Sequence, residues 1–117
     1  MGKNKDLGLP FGKMQRVILA FDVDGTLIDG SDIIFSDIVN VVKVLSKFKN
    51  VKIVVWSGGG KKYAETIGMR LGLDDYVWKY LGKFQHAELR ALGYTIIAID
   101  DIQDTAIGDI NLIVRNK

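Results

Sequence analysis

Three short apolar runs constrain this chain more than any other feature: RVILAF at 16–21, VKIVVW at 51–56 and YTIIAI at 94–99. They are rich in β-branched residues and too nearly continuous to have one wet face. They read as strands buried on both sides. Between them the apolar period lengthens to that of a helix. Over 33–49, Ile34, Ile38, Val41, Val42, Leu45 and Phe48 form one dry face, and Ser31 or Asp32 can cap its start. Residues 61–71 and 84–92 repeat the helical pattern, with Gly72 and Gly93 as stops. Weaker signals suggest a short strand around Val77, a turn or short helix at 104–107 and a last strand at 110–114. Strands alternating with helices predict an α/β fold. The expected form is a three-layer Rossmann-like sandwich, its mostly parallel five-stranded sheet covered on both faces.

The 117 residues suit one domain, expected over 16–117, preceded by an irregular arm over 1–15 in which Leu9, Pro10 and Phe11 dock on the domain. A net charge of +2 is too small to argue nucleic-acid binding. The absence of cysteine excludes disulfides, thiolate zinc sites and a cysteine nucleophile, and a single histidine, His86, excludes multi-histidine metal sites. His86 itself has no serine or carboxylate partner at a useful spacing and is expected at the surface. No apolar run approaches the ~20 residues that span a bilayer, and the N-terminus lacks an apolar signal core. The expectation is a cytoplasmic protein with no membrane contact.

In a parallel sheet, ligands gather beyond the carboxyl ends of the strands. All three clear strands end there in polar residues: Asp22 and Asp24, then Ser57 with three glycines, then Asp100 and Asp101. Four carboxylates in so small a volume repel one another and resist desolvation. A hard divalent cation relieves this, and Mg²⁺ favours oxygen ligands of this kind together with phosphate. Ser57, Gly58 and Gly59 offer a hydroxyl and bare backbone leading into a helix, a cradle for phosphate oxygens. A phosphate beside these acids needs a fixed cation. Lys83 is the first candidate and Lys79 its competitor. Trp56, Trp78 and Phe84 suit the core or rim better than a stacking platform.

DVDGT at 22–26, the strand-ending Ser57, Lys83 and AIDD at 98–101 together resemble the four ordered motifs of the haloacid dehalogenase superfamily of phosphotransferases. The resemblance runs from Val17 to Val114, and the second aspartate of the first motif points to its phosphatase branch. It implies that Asp22 is the nucleophile, forming an aspartyl phosphate, and that Asp24 is the general acid and base. It implies that Thr26 orients Asp24 or steadies the loop, and that Ser57 and Lys83 bind the transferring phosphoryl group. Mg²⁺ would be held by Asp22, the backbone carbonyl of Asp24, and Asp101, with Asp100 as a further ligand or a supporting partner. The spacing after the paired aspartates departs from the commonest family form, which leaves the role of Asp104 open.

Family members acting on small metabolites usually carry a cap domain. Neither stretch where one is inserted, 27–51 or 60–82, is long enough here. The resemblance therefore implies a capless member with an open site, suited to a macromolecular phosphorylated substrate such as a nucleic-acid end or a phosphoprotein. A homo-oligomer that covers the site would instead suit a small phosphate ester, and a flap after Leu27 would be the chain's own shield. The alternative is a module that binds metal and phosphate without turnover. A phospho-receiver domain fits less well, because its phosphorylated aspartate ends a middle strand, and here that strand ends in Ser57.

Overall fold

A computed structural model of the protein describes residues 16–115. The expected docking of Leu9, Pro10 and Phe11 lies outside the described residues. Five strands form one sheet: β1 (Val17–Asp22), β2 (Val51–Ser57), β3 (Lys79–Gly82), β4 (Thr95–Asp100) and β5 (Ile110–Ile113). Their order is β3-β2-β1-β4-β5, and every neighbouring pair is parallel rather than only most of them. Three helices accompany them: α1 (Ser36–Leu45), α2 (Lys61–Arg70) and α3 (His86–Ala91).

The alternation of each strand divides its apolar side chains between two cores. Leu19, Phe21, Ile53, Val55 and Ile99 point to one face and meet Val39 and Val42 of α1 and Ala64 and Ile67 of α2. Ile18, Ala20, Val54, Trp56, Leu81, Ile96 and Ala98 point to the other and meet Leu89 of α3. Strands dry on both sides thus build helix, sheet and helix layers, as their unbroken apolar runs require.

Local chemistry shifts several boundaries. α1 begins at Ser36, not at 33, because residues 24–34 are used otherwise. Asp24 bridges Ile28, and Ile28 bridges Ile34 in antiparallel sense. The Asp29 carboxylate accepts the N–H groups of Ser31 and Ile33, both at 2.8 Å, which holds the turn. Asp32 adopts a φ of 63°, so neither it nor Ser31 caps the helix; Phe35 stands at the cap position instead. The expected strand around Val77 forms two residues later, at Lys79–Gly82, because a 3₁₀ turn at Asp74–Tyr76 occupies the approach. The helix expected over 84–92 opens with a 3₁₀ turn, Lys83–Gln85, before α3. Another such turn, Gln103–Thr105, is all that stands between β4 and β5. With no helix in that link, Ile110, Leu112 and Ile113 of the edge strand stay exposed.

Strand order reverses between β1 and β4: β2 and β3 extend one way from β1, and β4 and β5 the other. Such a switch point opens a crevice at the carboxyl edge. Phe21 pairs with Ile99 there, so Asp22 and Asp100 end adjacent strands.

Candidate metal and phosphate site

Each acid owes its position to the end of a buried strand. Asp22 closes β1 and Asp100 closes β4, both buried, and Asp101 follows half-buried. One carboxylate oxygen from each of these three lies within 4.8 Å of the others. The Asp24 carboxylate is not one of this group and lies exposed. Gly25 makes the crowding feasible. Its φ is +85°, and a Cβ placed on it would stand 2.0 Å from Asp101 Oδ2. Only glycine serves both needs, the left-handed backbone and the close approach.

Lys83 supplies the fixed cation. Its side chain is almost wholly buried, and Nζ lies 2.9 Å from Asp22 Oδ1 and 2.6 Å from Asp100 Oδ2. It also donates to the Thr105 carbonyl at 3.3 Å. Lys79 is exposed, with its ammonium 5.2 Å from the Trp78 ring centroid. The geometry therefore separates two lysines that sequence spacing leaves equal.

Asp100 is the most heavily bonded of the acids. Besides Lys83, it accepts from the Ile102 N–H at 3.1 Å and from the Thr105 hydroxyl at 3.2 Å to each oxygen. Burial works to raise its pKa, but the Lys83 and Ile102 hydrogen bonds outweigh it and hold the group below its usual range. Asp22 behaves in the opposite way. Burial, helped by the Asp100 and Asp101 charges, pushes it up to about 7 against the pull of Lys83. Burial and the hydrogen bond with Asp100 raise Asp101 as well. Burial of Lys83 disfavours its charge, yet the hydrogen bonds it donates to Asp100 and Asp22 prevail and its pKa is raised. It remains an ammonium at neutral pH.

Three carboxylates against one ammonium leave two negative charges when all are ionised. That deficit, with hard oxygen donors converging from two strands, fits a divalent cation such as Mg²⁺. All three acids offer an oxygen to it, and Asp101 is the one of them that Lys83 does not engage.

The remaining residues form the surroundings. Thr26 is buried, and its hydroxyl donates to Asp22 Oδ2 at 3.4 Å, so it addresses Asp22 rather than Asp24. Ser57 is buried at the end of β2, and its Oγ accepts the Gly59 N–H at 2.9 Å. Gly58 and Gly59 lie exposed beside it. Trp56 is fully buried, Trp78 half-buried and Phe84 exposed, so Phe84 is at most a rim residue. His86 opens α3 half-buried and accepts at Nδ1 from Arg90 at 3.4 Å. Asp104 is exposed and outside the acid cluster; its neighbour Thr105 makes the supporting contacts.

Two participants escaped sequence reasoning. Thr105 lacked a signal beyond following an aspartate pair. Tyr63, in the first turn of α2, donates from its hydroxyl to Asp24 Oδ1 at 2.7 Å. Its position just after the glycine run was the available clue. The chain matches no protein-family model, no curated protein and no solved structure, so the meaning of the site rests on its own residues.

Proposed function

We propose that the chain is a Mg²⁺-dependent phosphomonoester hydrolase of the haloacid dehalogenase type, without a cap domain. One observation carries the reading: Asp22, Asp100 and Asp101 converge from two strands around one point, with the Lys83 ammonium bonded to the first two. Such a site accepts the dianionic phosphate only when its own charge is offset. When bound, Mg²⁺ held by Asp22 and Asp101 would offset that charge and draw negative charge from the phosphoryl oxygens.

An Asp22 oxygen attacks phosphorus, and the phosphorus–oxygen bond to the substrate alcohol breaks. Asp24 gives its proton to the departing oxygen. Asp24 then takes a proton from water, whose oxygen attacks the aspartyl phosphate and releases Asp22 and inorganic phosphate. Lys83 steadies the Asp22 carboxylate and meets the growing charge on the equatorial oxygens. The Ser57 hydroxyl, whose proton is left to donate because Oγ accepts the Gly59 N–H, and the Gly58 amide would meet the same phosphoryl group. Thr26 keeps Asp22 in its attacking rotamer.

The open carboxyl edge suits a phosphate carried on a large molecule. The test is turnover of a panel of phosphate esters with Mg²⁺, including phosphorylated oligonucleotides, sugar phosphates and a phosphopeptide. Asp22→Asn should abolish phosphate release while the fold is retained. If no ester turns over, the catalytic reading fails and a binding module is left.

A further inference from the structure

The reaction above needs Asp24 to hold a proton on one oxygen and aim it at the leaving group, yet Asp24 is exposed and stands outside the acid cluster. An exposed aspartate turns freely about its side-chain bonds unless something grips it. We propose that Tyr63 is the positioning residue for Asp24, and that it ties the acid to the phosphate cradle. The inference rests on the phosphatase reading.

Two contacts carry it. The Tyr63 hydroxyl donates to Asp24 Oδ1 at 2.7 Å, a full-strength O–H···O length. The Tyr63 ring also borders Gly59: a Cβ added there would stand in ordinary contact, 3.4 Å from ring atom Cδ2 and 3.4 Å from Ser57 Oγ. One side chain thus bonds the loop after β1 and borders the loop after β2. It sits in the first turn of α2, so the helix fixes its origin.

The division of labour follows from the bond. With Oδ1 occupied by the Tyr63 O–H, Oδ2 is the oxygen left to carry the transferable proton. In the first step that proton passes from Asp24 Oδ2 to the alkoxide as the phosphorus–oxygen bond breaks. In the second it returns from water. Tyr63 keeps its own proton throughout, because that proton is the one it donates to Asp24 Oδ1. Tyrosine is therefore the donor that orients, and aspartate the group that exchanges.

The test uses leaving groups of different need. p-Nitrophenolate departs without protonation; an alkoxide does not. kcat/KM reports only the steps through aspartyl-phosphate formation, so it isolates the acid role. Tyr63→Phe should lower kcat/KM for the best alkyl phosphate of the panel about tenfold, while p-nitrophenyl phosphate loses about twofold or less. Asp24→Asn should show the same selectivity with larger losses. Adding Tyr63→Phe to Asp24→Asn should then change nothing further, because the tyrosine acts only through the acid. Equal losses on both esters, no loss on either, or additive losses in the double variant would overturn the proposal and leave the phosphatase reading standing. A wild-type protein inactive on every ester would remove both.

Discussion

Replacing Lys83 with methionine tests the charge balance at the centre of the site. The substitution keeps the length of the side chain and deletes the ammonium that lies 2.9 Å from Asp22 and 2.6 Å from Asp100. Breaking a buried pair strands the remaining charge, at a typical cost of about 3–5 kcal/mol. Here two acids lose their partner, and Asp101 adds a third charge within reach. Protonation softens the loss. Asp22 already sits at about 7 with Lys83 in place, and removing the cation drives it higher. Below that range Asp22 takes up a proton and the strain falls. The cost in the metal-free protein should therefore be about 4 kcal/mol at pH 8 and about half that at pH 5.5. A small domain holds only ~5–15 kcal/mol in total, so the variant should be marginal at pH 8. Saturating Mg²⁺ should restore part of the loss, about 2.7 kcal/mol at a hundredfold excess over its dissociation constant. Urea unfolding at both pH values, with and without Mg²⁺, reads all of this. A cost below about 1 kcal/mol at pH 8, or a cost equal at the two pH values, would refute the charge argument.

Three further outcomes follow from the same geometry. Gly25→Ala places a methyl group against the Asp101 carboxylate and forces a left-handed backbone on alanine; it should cost about 2–4 kcal/mol and weaken Mg²⁺ binding in a calorimetric titration. The raised pKa of Asp22 means that the folded, metal-free protein binds this proton more tightly than the unfolded chain. Its stabilising contribution is thus fully present below pH ~4 and is lost as pH rises through about 7; in urea titrations across that window Asp22→Asn should flatten the decline and be the more stable form at pH 8. Trp56 pairs with Asp22 across β1 and β2, and its buried indole N–H has no partner among the described residues. Mg²⁺ should therefore shift the tryptophan fluorescence, and Trp56→Phe should abolish that shift while Trp78→Phe keeps it.

The strands and their polar ends were legible because burial on both faces leaves an unbroken apolar run, and a run that stops in aspartate or serine marks where the sheet meets water. Residues 33–35 were not legible as an extension. Their apolar spacing is helical, but the Asp29 carboxylate and the Ile28–Ile34 bridge claim the segment first. β3 was faint because it is an edge strand of only four residues with Tyr80 and Leu81 as its apolar content. Spacing also could not choose between Lys79 and Lys83. The two flank one short strand, and the choice depends on which end of it faces the acids. Thr26 illustrates a finer limit: its hydroxyl lies within reach of two aspartates in sequence, and only the turn at Gly25 decides that it faces Asp22.

Topology also explains why the cation comes from β3 and not from a nearer strand. β3 is separated from β1 by β2, so a side chain from its end must cross about two strand spacings, roughly 9.5 Å, to reach Asp22. An aspartate or a serine there is too short to meet the Asp22 carboxylate across that gap, whereas the four-carbon stem of lysine, starting one residue past the strand, closes it together with the 2.9 Å ion pair and the Asp22 side chain. The end of β2, the strand between them, carries Ser57 followed by three glycines and so presents no long side chain. The stem of Lys83 is covered while its ammonium meets two carboxylates, the arrangement that lets a lysine be buried without losing its charge.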